Sequence, residues 1–160
     1  MRDAPRIVHA LLEHAVALVL GSYKRSIGAG ALVRDRDGRL LLVRTGYRPG
    51  WSLPGGHVGR RESLEVGLRR EVHEETGFDV EVGPLLLVDA REPRTIVFLF
   101  AAEVTGGTAD LAPLEIRALR WVPETEIATV LELDRSRLRH ALAAQREGRT
   151  HYLAAPTLHR

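Results

Sequence analysis

"REVHEETG", residues Arg70 to Gly77, places Glu71, Glu74 and Glu75 within five residues, beside Arg69, Arg70 and His73. On a helix, positions i, i+3 and i+4 share a face, so the three carboxylates converge within about one turn. Like charges at that spacing destabilise a helix by roughly a few tenths of a kcal/mol per pair. A solvated acidic face eased by the two arginines and His73 is one reading. A face built to hold a cation is the other, and the flanking residues decide between them.

The segment around these glutamates has helix signals at both ends. Glu62 to Thr76 is the predicted helix, with Ser63 as N-cap, Leu64, Leu68 and Val72 repeating at i+4, and Gly77 at the C′ position. Val66, Leu68 and Val72 are expected in the core. Gly67 costs about 1 kcal/mol in a helix interior relative to Ala, which a close approach of helix to sheet would justify. His73 falls off the apolar stripe and is expected in solvent.

Upstream, "GYRPGWSLPGG" (Gly46 to Gly56) is dense in glycine and proline and reads as loop or irregular strand. A glycine-rich loop feeding a helix lets backbone N–H groups approach phosphate oxygens, and the helix start favours anions. Three hard oxygen donors on that helix suit Mg²⁺ or Mn²⁺, which bridge carboxylates to substrate phosphates. The pattern describes phosphate chemistry supported by a divalent cation.

Here the chain resembles the Nudix hydrolase family. "GHVGRRESLEVGLRREVHEETGF", Gly56 to Phe78, matches the Nudix box at Gly56, Glu62, Arg70, Glu71, Val72, Glu74, Glu75, Gly77 and Phe78. "WSLPGG" resembles the segment that leads into the box. The resemblance implies an α/β fold, an α/β/α sandwich with a mixed β-sheet. It also implies cleavage of the pyrophosphate bond of a nucleoside diphosphate linked to another moiety, without a covalent intermediate.

The roles it implies are specific. Glu71, Glu74 and Glu75 would ligate Mg²⁺ or Mn²⁺, Arg70 would orient a neighbouring glutamate, and Glu62 would pair with Arg70 or reach the metal through water. Gly55 and Gly56 would let the loop turn against the helix and the substrate. A further glutamate before a Trp-bearing strand would be a ligand or the base. Glu115, six residues before Trp121, matches, with Glu103 and Asp110 as alternatives. Arg44, Tyr47, Arg48 and Trp51 are candidates for stacking and phosphate contacts, although on general grounds Trp51 reads first as a core aromatic beside the helix. Pro93, between Arg91 and Arg94, resembles a feature of members that hydrolyse ADP-ribose. The signatures of the coenzyme A and NADH groups are absent. Nucleotide sugars and ADP-ribose rank first as substrates, then nucleoside triphosphates including oxidised ones, then dinucleoside polyphosphates. A non-catalytic module that senses nucleotides is the rival reading; complete retention of the box glutamates argues against it.

The remaining chain is read as strands Ser26–Val33, Leu40–Arg44, Val80–Asp89, Thr95–Val104 and Ile116–Val122. A short helix is expected from Glu124 to about Leu131 and an amphipathic one over Ser136–Glu147. At 160 residues, with 44% hydrophobic and 28% charged, the composition suits one globular domain. The net charge of +2 gives no reason to expect nucleic acid as a partner. Absence of cysteine excludes thiolate metal sites and disulfides and fits a cytoplasmic protein.

Residues 26–148 are taken as the hydrolase domain and 149–160 as a C-terminal tail. Residues 1–25 are taken as an apolar helix packed on the domain or a partner chain. Ile7 to Leu20 is interrupted by His9, Glu13 and His14, so a membrane association is not favoured. Its apolar residues cover more than one face, which points to a homodimer.

Overall fold

A computed structural model describes residues 25–110 and 115–155. The apolar segment Ile7–Leu20 lies outside these. In chain order the elements are β1 (Ser26–Arg34), β2 (Leu40–Thr45), β3 (Gly55–His57), α1 (Leu64–Thr76), β4 (Phe78–Ala90) and β5 (Thr95–Gly107). They are followed by β6 (Ile116–Val122), α2 (Glu124–Val130), α3 (Arg135–Glu147) and β7 (His151–Ala154).

One mixed seven-stranded sheet runs β6-β2-β1-β5-β4-β7, with β3 pairing beside β1. β1 lies parallel to β5 and β7 parallel to β4, while β1–β2, β1–β3, β2–β6 and β4–β5 are antiparallel. Alternation along the strands assigns each residue to a face. Leu32, Leu40, Leu42 and Leu99 pack with Ile127, Leu138 and Ala141 of α2 and α3. Ala31, Val33, Leu41 and Phe100 pack with Leu68 and Val72 of α1. A sheet covered on both sides demands apolar residues at consecutive positions, which is why β2 reads "LLLV" without polar alternation. The sandwich inferred from the sequence is the one observed.

Differences from the sequence expectation are local. Ser63 is extended, and its hydroxyl accepts from Val66 N at 3.3 Å, so α1 begins at Leu64. Glu62 therefore stands before the helix and is free to turn back on the loop. Gly77 closes α1 at φ 75°, a conformation open to glycine. Its successor Phe78 pairs at once with Gly107, so β4 starts two residues early and β5 extends through part of the expected turn. Val66, expected in the core, is 50% exposed, because Leu68 and Val72 occupy the inward stripe instead. The expected tail from Arg149 is not a tail throughout: His151 to Ala154 add β7 to the sheet alongside Leu87 to Ala90. Four residues are too few to show a periodicity. Among the described residues no helix is long and apolar enough to cross a membrane.

α1 sits close to the sheet through Gly67. A Cβ there would meet both methyls of Val58 at 3.2 Å, tighter than ordinary packing. Gly67→Ala should thus lower stability by about 1 kcal/mol, overpacking outweighing the gain in helix propensity. Pairing it with Val58→Ala should be less damaging than the sum of the two single changes. Urea unfolding of the three variants measures this. A stabilised Gly67→Ala protein would mean the contact has room to spare.

Candidate active site

The carboxylate cluster is organised by one arginine. Arg70 uses all five N–H groups: Nε donates to Glu62 Oε1 (2.8 Å), and Nη2 to Glu62 Oε2 (2.9 Å) and the His57 carbonyl (3.0 Å). Nη1 donates to Glu71 Oε1 (2.8 Å) and Glu74 Oε2 (3.0 Å). A lysine has neither the donors nor the planar fork for this. Glu62 completes its shell by accepting from Gly59 N at 2.8 Å. These bonds, Arg70 first and Gly59 second, hold its carboxyl down to about 2. The Arg70 guanidinium is correspondingly held above its already high value, by Glu62 and then Glu71.

Glu75 faces the other way, along the loop, and accepts from Gly55 N at 2.9 Å. Burial pushes its carboxyl up to about 7; repulsion from Glu71, Glu115 and Glu74 adds to the shift and the Gly55 bond opposes it. Glu115 is thus the late glutamate whose charge reaches the cluster. It sits just before β6, its carbonyl accepting from Gly46 N at 2.8 Å. Glu103 instead lies within β5, in register with Arg34 and Glu81. Asp110 follows β5 and gives its N–H to the Thr76 carbonyl at 3.0 Å.

Gly56 makes room for this arrangement, since a Cβ there would collide with the Glu71 carboxylate. At Gly55, φ is 138°, and a Cβ would strike the Ala29 carbonyl. Among the described residues no three acidic or imidazole groups are gathered tightly enough to enclose a metal ion. The hydrogen bonds explain why: Arg70 draws Glu71 and Glu74 to one side and Gly55 draws Glu75 to the other. Each carboxylate still has one oxygen free of protein hydrogen bonds among the described residues: Glu71 Oε2, Glu74 Oε1 and Glu75 Oε1. Uncompensated negative charge with spare hard oxygens fits a divalent cation.

Beside the cluster opens a cavity of about 310 Å³. Gly55, Gly56 and Glu75 form one end, and the loop after β2 contributes Tyr47 and Arg48. Leu133, Asp134 and Arg137 at the start of α3 form a wall that the sequence reading missed. No local pattern marks them, because they lie some sixty residues from the box. Arg44 and Trp51 do not line the cavity. The Arg44 guanidinium carbon stacks 5.4 Å from the Trp51 ring centre, and Trp51 packs on the core beneath α2 and α3 while its carbonyl accepts from Glu132 N and Leu133 N. Pro93 is exposed and outside the cavity lining. Arg91 is turned onto Asp89, and His73 is exposed and pairs with Asp79 at 3.0 Å.

The family model of the NUDIX domain matches residues 24–145, and the chain belongs to that family. It is 41% identical over 101 residues to a MutT-like protein of Streptomyces ambofaciens, covering 62% of this chain and 64% of that one. It is 32% identical over 111 residues to a putative 8-oxo-dGTP diphosphatase of Bacillus subtilis, covering 69% and 74%. A crystal structure of a UDP-X diphosphatase superposes with a TM-score of 0.68 at 20% identity, over 95% of this chain and 85% of that one, a likeness of fold. The chain spans 64% of the length of the Streptomyces relative and as little as 30% of another that it matches.

Glu62 and Glu75 act in separate pH windows. Glu62, depressed in the folded state, adds stability that is present above its unfolded value near 4.5 and lost as pH falls toward 2. Glu75, raised in the folded state, binds its proton more tightly there than in the unfolded chain between 4.5 and 7. Stability of the metal-free protein should therefore fall as pH rises through that second window. Glu75→Gln should remove this decline. Urea unfolding at a series of pH values tests it, and a rising curve between 4.5 and 7 in the parent protein would contradict the environment assigned to Glu75.

Proposed function

We propose that this protein hydrolyses the phosphoric anhydride of a nucleoside diphosphate linked to a further phosphate or other moiety, with Mg²⁺ or Mn²⁺. The observation that carries the reading is the juxtaposition of the Arg70-ordered carboxylates with the cavity reaching to α3. Glu71, Glu74 and Glu75, with Glu115, would hold the cation. When bound, it supplies Lewis-acid stabilisation of phosphate charge and acidifies water.

The chain's own residues do the rest. Arg70 holds Glu71 and Glu74 by one oxygen each, leaving the other oxygen of each free. Gly55 and Gly56 allow the anhydride to approach the backbone, and Arg48 stands at the cavity to pair with phosphate oxygens. One carboxylate of the cluster, Glu74, Glu75 or Glu115, would take the proton of the attacking water. The water oxygen bonds to phosphorus, the P–O anhydride bond breaks, and the leaving phosphate departs with the bond's electron pair. Tyr47, 73% exposed at the cavity, offers a face on which a base stacks.

Nucleoside triphosphates, including forms oxidised on the base, move ahead of nucleotide sugars and ADP-ribose as substrates. A relative covered over 74% of its length carries a name of the former kind, and Pro93 is not among the residues lining the cavity. The setting is taken as cytoplasmic, and the chain as a homodimer through Ile7–Leu20. Light scattering showing a monomer would end the dimer reading.

Activity across a nucleotide panel should require Mg²⁺ or Mn²⁺ and disappear with EDTA, while the circular dichroism spectrum is unchanged. Glu74→Gln and Glu75→Gln should each lower kcat by about 100-fold or more without loss of unfolding free energy beyond about 0.5 kcal/mol. Full turnover in excess EDTA would refute the mechanism. Tight nucleotide binding with no turnover on any substrate would favour the sensing module.

A further inference from the structure

The wall of the cavity remote from the box glutamates contains a charge cluster that the hydrolytic chemistry does not use. Asp89, at the end of β4, is 2% exposed. Its Oδ1 accepts from Arg91 N (3.2 Å) and Arg91 Nε (2.9 Å), and its Oδ2 from Arg91 Nη2 (2.8 Å) and Arg137 Nε (2.9 Å). A buried carboxylate held by two arginines is rarely worth its desolvation as a stabilising device. Its geometric result here is to fix one guanidinium against the cavity. Arg91 is the brace: its Nη1 donates to Ser136 Oγ at 3.0 Å, tying the same cluster to the first turn of α3.

Arg137 is held at a second point, since Nη1 also donates to Asp134 Oδ1. Asp134 occupies the N-cap position of α3, yet its side chain makes no cap hydrogen bond to the helix. It is also the single non-glycine residue with positive φ (56°) among the described residues. Both helix capping and relaxed backbone geometry are given up where the carboxylate meets Arg137. With Nε and one N–H of Nη1 engaged, Nη2 has no partner among the described residues, and the guanidinium keeps unpaired N–H groups on both Nη1 and Nη2. Donors on two nitrogens of one planar guanidinium can pair with two adjacent acceptors.

We infer that Asp89 is a positioning residue that presents Arg137 to the acceptor edge of the substrate's nucleobase, making Arg137 the residue that selects bases carrying adjacent carbonyl and ring-nitrogen acceptors. Unoxidised guanine offers that pair at O6 and N7; adenine does not, and neither does a guanine oxidised at C8, whose N7 carries a proton. The inference rests on the proposed hydrolysis only for which end of the substrate lies at α3, the phosphates being taken by the carboxylate end.

Calorimetric titration of the full chain with Mg²⁺ tests it without turnover. The probes are the α,β-methylene diphosphates of guanosine and adenosine, and methylenediphosphonate, which has no nucleoside. Arg137→Lys keeps the charge but cannot hold Asp89, Asp134 and two acceptors together. It should weaken the guanosine analogue by about 10- to 100-fold and leave methylenediphosphonate unchanged. Asp89→Asn, if it folds, should show the same base-dependent loss, with little further change in the double variant. In turnover the loss should fall on KM with kcat nearly constant. Equal binding of the guanosine analogue by parent and Arg137→Lys overturns the inference. So does a matching loss for methylenediphosphonate, which would place Arg137 on phosphate. Base-selective binding by a parent protein that hydrolyses nothing would sink the hydrolase reading and leave this one standing.

Discussion

Arg70 satisfies five acceptors at once, and the placement of the carboxylate helix depends on it. Two of its bonds go to Glu62 and one to the His57 carbonyl, both outside α1. The remaining two go to Glu71 and Glu74 within it. One side chain therefore ties the loop after β3 to the second and third turns of the helix. The repulsion that would splay three glutamates is converted into attraction to a shared cation of the protein's own. Glu75, which Arg70 does not reach, is pushed up to about 7 mainly by burial, with repulsion from Glu71, Glu115 and Glu74 adding to the shift.

This constraint explains why so much of the site was legible in the sequence. The glutamates, Arg70, Glu62 and the two loop glycines lie within 23 residues, and the forces among them are short-range. Helical spacing puts Glu71, Glu74 and Glu75 within about one turn, and Gly56 is needed because Glu71 occupies the space of its missing side chain. The strands were legible for a related reason. A sheet buried on both faces writes an unbroken apolar run at β2, and turns such as Asp35–Gly38 carry their own hydrogen-bonding side chain. Where burial is partial the reading weakened. Val66 looks like core by composition but faces water, and β7 is held by pairing to β4 rather than by any pattern of its own.

Trp51 was open to two readings, a core aromatic and a substrate contact. Its place beside "LPGG" suggested a substrate platform, yet its ring packs on the layer of α2 and α3 while its carbonyl receives the N–H groups of Glu132 and Leu133. It contributes to the cavity indirectly, by fixing the segment that carries Leu133 and Asp134. The exposed Tyr47, a less conspicuous residue, is the aromatic that lines the opening. Sequence proximity to a motif identifies the loop but not which of its side chains turns inward, because that depends on the layer each one meets.

The two ends of the cavity are held by separate structures, and this separation bears on how the fold can vary. The carboxylate end is fixed by α1, β3 and Arg70 on one face of the sheet. The α3 end is fixed by Asp89, Arg91 and Arg137, with α3 packed on the opposite face through Leu138, Ala141 and Ala144. No hydrogen bond among the described residues joins the two charge clusters. Changes at one end are then expected to leave the geometry of the other nearly intact, as independent sites do. The anhydride chemistry demands hard oxygens in a fixed pattern and so is written in one contiguous motif. The base-reading wall demands only a few directed donors, which strands and helices distant in sequence can supply in many combinations. A motif can therefore reveal the reaction while remaining silent on the substrate.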